Sequence, residues 1–517
     1  MNTREIWVIS LSQSQSQMEI WVILFTTLCL CAALKLLLDF LSHNTNPRCP
    51  PGPWTVPIIG NFLWLRGSLL ELEPVLLKLH AKYGPVFSVP IGSQPNIFIN
   101  SRFLAHQALI QNGAIFADRP HALNHSATST QKAISSSPYG PYWRLLRRNL
   151  TSEILHPSRL KSYRNTRKLA LQTLVSKLKD QSESGKAICV TTQVRLSFFS
   201  IVFSMCFGQK FDEEVIKKVE ASQRTFTTNF SRFRILSYMP NLGKMIFRKL
   251  QKELLDLQQC RANILTPLIR SLIERKENHH ETDELVVSYV DTLLKIWLPD
   301  EDRKLNEFEL RTLCSEFLNA GTDTIATTME WIMANLVKHQ DIQAKLYSEI
   351  MRVLGEDEEI TEEDLQKMPY LKAVVLEGLR RHPPMHFGLS HAVTEEFQLD
   401  KHVIPKNATI YFMMAEMGWD PKVWENPMEF WPDRFMSGEG FDITGGKEIK
   451  MMPFGVGRRI CPGYNLALLL MEYFVANLIK DFKWMAVDGE DVDLSEKQNF
   501  EVVMKTPLRA HISPRVM

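Results

Sequence analysis

Phe454-Gly455-Val456-Gly457-Arg458-Arg459-Ile460-Cys461-Pro462-Gly463 stands near the C-terminus and leads into an apolar stretch, Leu466 to Ile479, with helical spacing. Cys461 therefore falls just before a helix N-terminus, with Pro462 at a favoured first-turn position. There the helix dipole and free backbone N–H groups favour a thiolate, a species able to ligate iron. The glycines let the backbone approach a bulky planar group closely. A lone cysteine before a helix is more often a small buried hydrophobe; the flanking glycines and arginines turn the reading toward a ligand. Gly455-Val456-Gly457 does not open a dinucleotide fingerprint, because position 460 is Ile and neither a preceding strand nor a downstream acidic residue accompanies it.

Upstream of this run, apolar residues recur mainly at helical spacing: Leu70 to Tyr83, Phe103 to Gln111, Tyr142 to Leu150, Leu160 to Leu178, Met245 to Glu274, Leu285 to Trp297, Glu307 to Val337, Ile342 to Val353 and Tyr370 to Arg381. Short β-like runs at Val86 to Ile91, Asn96 to Asn100 and Thr409 to Met413 are too few for a doubly wound sheet and suit a small side sheet. The fold class is mainly α with a small β region. Glu274 to Glu284, with His279-His280, reads as a solvated loop, and no period of 20 to 50 residues repeats. In a chain of 517 residues, 45% hydrophobic and 23% charged, the composition is that of a globular protein with a large core. The net charge of +2 argues against a nucleic-acid partner. The eight cysteines form no C-x-x-C pair, which favours a reduced, cytosol-facing body.

Ile20 to Leu38 carries one charge, Lys35, and as a helix would span about 28 Å, close to a hydrocarbon core. Residues 18–41 therefore read as a transmembrane anchor and 42–57, with Pro50-Pro51-Gly52-Pro53, as a stiff hinge before a body at 58–517. Lys35 at the far end of the run and Arg48 beyond it place the body on the cytosolic side. Glu-Ile-Trp-Val-Ile occurs at both Glu5 and Glu19, so residues 1–17 read as a dispensable extension before Met18.

The Cys461 run resembles the haem-binding signature of the cytochromes P450, Phe-x-x-Gly-x-Arg-x-Cys-x-Gly, with Phe454, Gly457, Arg459, Cys461 and Gly463 at its fixed positions. The resemblance implies a P450 fold holding haem b, with Cys461 as axial iron ligand, Phe454 and Gly463 around it, and Arg459 on a propionate. Thiolate ligation is the electronic basis of that chemistry. Other motifs follow in the family's order. Glu377-Gly378-Leu379-Arg380 matches Glu-x-x-Arg, and Pro432-Asp433-Arg434-Phe435 resembles the Pro-Glu-Arg-Phe element with Asp433 for Glu, implying structural support from Glu377, Arg380 and Arg434. Trp143 and Arg147 match Trp-x-x-x-Arg, whose members contact a propionate, and His391 stands where related sequences offer another partner. Arg144 and Arg148 form either a solvated basic face or a docking surface for an acidic electron donor.

Ala320-Gly321-Thr322-Asp323-Thr324 lies inside the long apolar helix, where weak helix formers predict a kink or a widened hydrogen bond. By the resemblance this is the oxygen-activation segment: Ala320 borders the haem, Thr324 serves dioxygen and Asp323 relays protons, while Ile325 stands where the family often has Thr or Ser. The tail most resembles plant microsomal family 89, with family 77 as neighbour. The implied activity is a monooxygenase inserting one atom of O2 into a lipophilic small molecule by hydroxylation or epoxidation. It would take electrons from an NADPH-dependent cytochrome P450 reductase, with cytochrome b5 a second donor, on the cytosolic face of the endoplasmic reticulum membrane. A haem-thiolate isomerase or dehydratase working without O2, and a non-catalytic haem scaffold, are the alternatives; an intact Asp323-Thr324 pair favours the monooxygenase. The variable regions over the haem are apolar and aromatic (Phe116, Phe226, Phe317, Phe387, Phe500).

Overall fold

A computed structural model describes residues 21–34, 49–53, 69–89, 95–120, 132–208, 211–238, 247–278, 286–355, 359–438, 440–487, 489 and 491–515. Trp21–Leu34 is helical and exposes its apolar side chains, Trp21, Phe25 and Leu28 among them. Most of the expected hinge, the extension at 1–17 and the histidines at 279–280 lie outside the described residues.

The body is helical around one large core. In chain order its helices are α1 (Leu69–Tyr83), α2 (Arg102–His106), α3 (Pro141–Asn149), α4 (Pro157–Ser162), α5 (Arg164–Glu183), α6 (Val190–Phe207), α7 (Glu213–Tyr238), α8 (Arg248–Asn278), α9 (Tyr289–Leu293), α10 (Glu307–Ala320), α11 (Asp323–Lys338), α12 (Gln340–Leu354), α13 (Pro369–Arg381), α14 (Met414–Gly418) and α15 (Tyr464–Asp481). Local chemistry sets several starts. Ser101 Oγ accepts the Leu104 N–H, Pro141 opens α3, and Asn306 with Glu309 forms a capping box that fixes the start of α10. The helix expected over Leu285 to Trp297 is only Tyr289–Leu293: a Ser288–Asp291 capping box starts it, and Trp297–Leu298 instead pairs as a strand with Arg303–Lys304 around Asp302 at φ 49°. The run Leu160 to Leu178 is two helices broken at Tyr163, whose hydroxyl donates to Val287 O. Of the loop expected over Glu274 to Glu284, residues 274–278 belong to α8 and the rest lie outside the described residues.

Helix α6 was not legible from periodicity, because it has no polar face. It is apolar and long enough to cross a membrane, yet more than half of it is buried in the body, with Phe198 against Phe474 of α15 at a ring distance of 4.7 Å. Helix α15 is likewise buried along most of its length, and α11 packs on both α6 and α13. The approach of α13 is close: a Cβ on Gly378 would lie 2.4 Å from Ile332 Cγ1.

The side sheet is four-stranded. Val86–Ser88 and Asn96–Ile99 pair antiparallel, Asn96–Ile99 runs parallel to Thr409–Phe412, and His391–Ala392 closes the far edge in antiparallel register with Ile410 and Thr409. A second sheet joins Phe482–Ala486, Arg509–Pro514 and Ile188–Cys189, and a hairpin pairs Glu496–Gln498 with Val502–Met504. Val502 ties that hairpin to the core: its carbonyl accepts from Trp331 Nε1 of α11 at 3.1 Å and its N–H donates to Pro384 O at 2.9 Å.

Candidate active site

The Cys461 loop is held by its own backbone before α15 begins. Cys461 N–H donates to Phe454 O at 2.8 Å, and Gly457, at φ 74°, lies so close to Leu109 that a Cβ would fall 2.1 Å from its carbonyl oxygen. That conformation and that space admit only glycine. Burial pushes the Cys461 thiol up, against the Gly463 N–H and the Arg147 charge, which both favour the thiolate. The helix N-terminus therefore assists the thiolate without being sufficient for it, and a metal cation would have to supply the rest.

Trp143 and Arg147 of α3, Arg459 of the loop itself, His391 and Arg119 gather here. On α3, Trp143 and Leu146 are buried while Arg144 and Arg148 are exposed, so one helix turns an aromatic toward the core and two arginines toward solvent. Arg147 Nη2 donates to Ile460 O at 2.5 Å. Arg459 reaches three carbonyls, Ala117 O at 2.7 Å, Ser137 O at 2.7 Å and Ile134 O at 3.1 Å, and its guanidinium lies 4.4 Å from the Trp143 ring. His391, at the edge of the side sheet, donates its Nδ1–H to Phe116 O at 2.7 Å. Burial, with the charges of Arg119 and Arg459, lowers its pKa to about 3, so the ring is neutral.

Arg119 belongs to the same cluster and carries no sequence motif. It is 5% exposed and donates to Ser390 O at 2.7 Å, Ser135 O at 2.7 Å and Leu389 O at 3.1 Å. Burial and the neighbouring Arg459 bring its pKa down to about 9. Burial likewise lowers Arg459 to about 10, partly offset by Asp118. Both guanidinium groups are desolvated and donate to backbone carbonyls, with the charges of Asp118 and Glu316 acting on each. Trp143 Nε1 is buried without a hydrogen-bond partner. A planar group carrying carboxylates, with a metal over Cys461, fits this donor set.

On the other side of the site the expected single helix from Glu307 is broken in two. Gly321 N–H donates to Phe317 O at 3.1 Å and Thr322 N–H to Asn319 O at 3.3 Å, after which α11 restarts at Asp323. Thr322 and Thr324 return their hydroxyls to Leu318 O and Ala320 O, each at 2.8 Å, so side chains take carbonyls that the helix break frees. Ala320 is exposed between half-buried Asn319 and Gly321, Thr324 is half-buried and Asp323 is buried. Asp323 pairs with Arg195 of α6 and accepts from Thr227 Oγ1 at 3.1 Å.

Glu377, Arg380 and Arg434 lie away from this space and join loops to α13. Arg380 forks onto Glu377 with two bonds of 2.7 Å and also reaches Gly418 O, Pro427 O and Glu429 O, while Arg434 Nε stands 3.2 Å from Glu377 Oε1. Asp433, in place of the usual Glu, points outward and pairs with Lys345.

A helical body with a half-buried cysteine loop before its last long helix and a break at Gly321-Thr322 between two buried helices fits a haem-thiolate protein. Residues 50–513 match the model of the cytochrome P450 family, and the chain belongs to that family of haem monooxygenases, whose cofactor is haem b. It is 45% identical to cytochrome P450 89A9 of Arabidopsis thaliana over 96% of this chain and all of that protein. Cytochrome P450 78A7 of the same plant is 30% identical, over 90% of this chain and 86% of its own length. Flavonoid 3'-monooxygenase, also from Arabidopsis thaliana, is 28% identical over 95% and 98%. Among solved structures, a zebra fish cytochrome P450 with progesterone matches the fold with a TM-score of 0.73 at 21% identity, covering 86% of this chain and 99% of that one.

Proposed function

We propose that the protein is a membrane-anchored monooxygenase that inserts one oxygen atom of O2 into a lipophilic small molecule, by hydroxylation or epoxidation. Its electrons come from NADPH through a separate reductase, with cytochrome b5 as an additional donor. The observation that carries this reading is the broken helix: an acid and an alcohol, Asp323 and Thr324, stand together at the one place where the helix opposite the Cys461 loop gives up its regular hydrogen bonds. Rearrangement of a substrate without O2 has no use for a proton-handling pair there.

When bound, haem supplies a redox-active iron at which O2 is reduced by electrons delivered one at a time. Cys461 Sγ would hold the iron, Arg119, Arg147, Arg459 and neutral His391 would hold the carboxylates of the group from four elements, and Trp143 Nε1 would be a further donor. Thr324 Oγ1, bonded to Ala320 O, orients a proton donor, and Asp323 holds the proton that replaces it. Buried Phe116, Phe226, Phe317 and Phe387 suit an apolar substrate and keep water out. Glu377, Arg380 and Arg434 support the loop before Cys461.

Residues 58–517 form the haem-thiolate catalytic domain, 42–57 the hinge and 18–41 the anchor, with Trp21–Leu34 inside it; residues 1–17 are dispensable. The anchor places the body on the cytosolic face of the endoplasmic reticulum membrane. The test is product formation from microsomal lipophilic metabolites with reductase and O2 supplied or withheld in turn. The proposal requires both; turnover that persists without either assigns the protein to isomerase or dehydratase chemistry.

A further inference from the structure

Two of the segments expected over the haem, 385–389 and 499–503, are far apart in the chain, and buried ionisable groups join them to each other and to α1. His386, 3% exposed, turns its two ring nitrogens toward two carboxylates. Nδ1 lies 2.9 and 3.1 Å from the oxygens of Glu73 on α1, a side chain that is itself buried. Nε2 is buried without a hydrogen bond and faces Glu496 Oε2 at 3.6 Å, at the start of the strand Glu496–Gln498. A neutral imidazole donates from one nitrogen only, so serving both carboxylates takes a proton on each. Trp419 meets the ring edge-on at 5.1 Å, and the His386 carbonyl accepts the Met414 and Ala415 N–H groups at the start of α14. Ring and backbone are therefore both fixed.

Among the described residues, the other ionisable groups facing this point are Glu416 of α14, His382 after the end of α13, and Arg381. Burial, reinforced by the charge of Glu73, pushes Glu416 up to about 7, which weakens it as a competitor for His386. Burial brings His382 down to about 4 against the pull of Glu496, so that ring is neutral. It stacks on Trp331 of α11 at 4.1 Å, with Nδ1 3.5 Å from Glu496 Oε1. Burial raises Glu496, but the two histidines and Arg381 outweigh it and hold its carboxyl below the ordinary value. The hairpin is tied to the same places again, by Val502 N–H to Pro384 O and by Trp331 Nε1 to Val502 O. Phe387, next to His386, packs edge-on against Phe98 at 6.3 Å in a cluster that includes Leu76 of α1.

We propose that His386 is a specificity-determining positioning residue: bridging Glu73 and Glu496, it braces segments 385–389 and 499–503 against α1 and so limits the size of molecule that fits over Cys461. This rests on the reading of those two segments as walls of the substrate space. Because α1 is the first described helix after the hinge, the brace runs from the anchor side of the body to the walls. An ion pair of this kind is strong only while all members are present, since removing one leaves a buried charge unpaired.

The test uses the haem-loaded full chain in lipid vesicles and two azole probes, imidazole and the bulky triphenylmethyl imidazole clotrimazole, each read by its shift of the Soret band. Clotrimazole should bind several-fold more tightly to His386→Gln and Glu496→Gln than to the parent, while imidazole binds all three alike. Hydrogen exchange across 385–389 and 496–504 should quicken several-fold in both variants and in Glu73→Gln, although Glu73 belongs to α1. Glu73→Gln added to His386→Gln should change nothing further, because the brace is already gone. Should His386→Gln fail to fold, Glu496→Gln and Glu73→Gln carry the test. Parental exchange in both segments overturns the proposal, and so does strict additivity of Glu73→Gln and His386→Gln. Clotrimazole binding that stays parental or weakens in Glu496→Gln overturns it when Phe500→Ala changes that binding. If Phe500→Ala leaves clotrimazole binding unchanged as well, the reading of the walls is refuted, and the exchange rates still decide whether the brace exists.

Discussion

As the proposed iron ligand Cys461 would have to act as a thiolate, and burial opposes that form by raising the thiol while the Gly463 N–H and the Arg147 charge lower it. Metal binding and deprotonation must therefore occur together, and Cys461→Ala should lose both haem and the red-shifted Soret band of the carbon monoxide complex that this family displays. A variant that keeps the band would assign the axial bond elsewhere. Among the described residues the Thr324 hydroxyl bonds across the helix break to Ala320 O, the last residue of α10, and to none of Arg119, Arg147, Arg459 or His391, so removing it leaves that donor set untouched. Thr324→Ala should retain haem while product formed per NADPH falls several-fold and peroxide rises, measured in the reductase-coupled assay with any oxidised substrate. At this scale the signature residues were legible because a short stretch of chain carries them, whereas Arg119 was not. A lone arginine in an irregular segment has no local pattern, and only the fold brings it to Arg459 and His391.

Helices α11 and α13 meet where Gly378 leaves room for Ile332, and a Cβ there would sit 2.4 Å from Ile332 Cγ1. Gly378→Ala should destabilise the protein by about 1–3 kcal/mol through overpacking, read from denaturant unfolding of the haem-loaded form. Adding Ile332→Val should recover part of that loss; strictly additive effects would show that the contact is not the cause. The glycine lies inside the Glu-x-x-Arg motif, so the same turn supplies the ion network and the close approach. Element boundaries were least legible where helices lack a polar face or are broken by side-chain caps. Helix α6 is apolar all round and so has no amphipathic period. The restart at Asp323 follows Gly321, on which a Cβ would lie 3.0 Å from Val202 Cγ2 of α6, a close approach that the sequence does not announce.

Across the whole molecule, Arg144 and Arg148 face solvent on the same helix whose Trp143 is buried beside the Cys461 loop, so a basic surface lies one helix away from the cofactor site. Arg144→Glu with Arg148→Glu should weaken reductase docking severalfold at low salt and progressively less as salt rises, because exposed charges are screened. Reductase titrations that superimpose with the parent's would place the docking surface elsewhere. What the sequence determined by itself is the cysteine loop: a cysteine, glycines and arginines in fixed spacing specify its turn and its place before α15, because those effects act within a few residues along the chain. What only the tertiary structure decided is which distant charges share a low-dielectric space, Arg119 with Arg459 and His391, and Asp323 with Arg195. Coulomb forces and desolvation depend on separation in space, and separation along the chain does not reveal it.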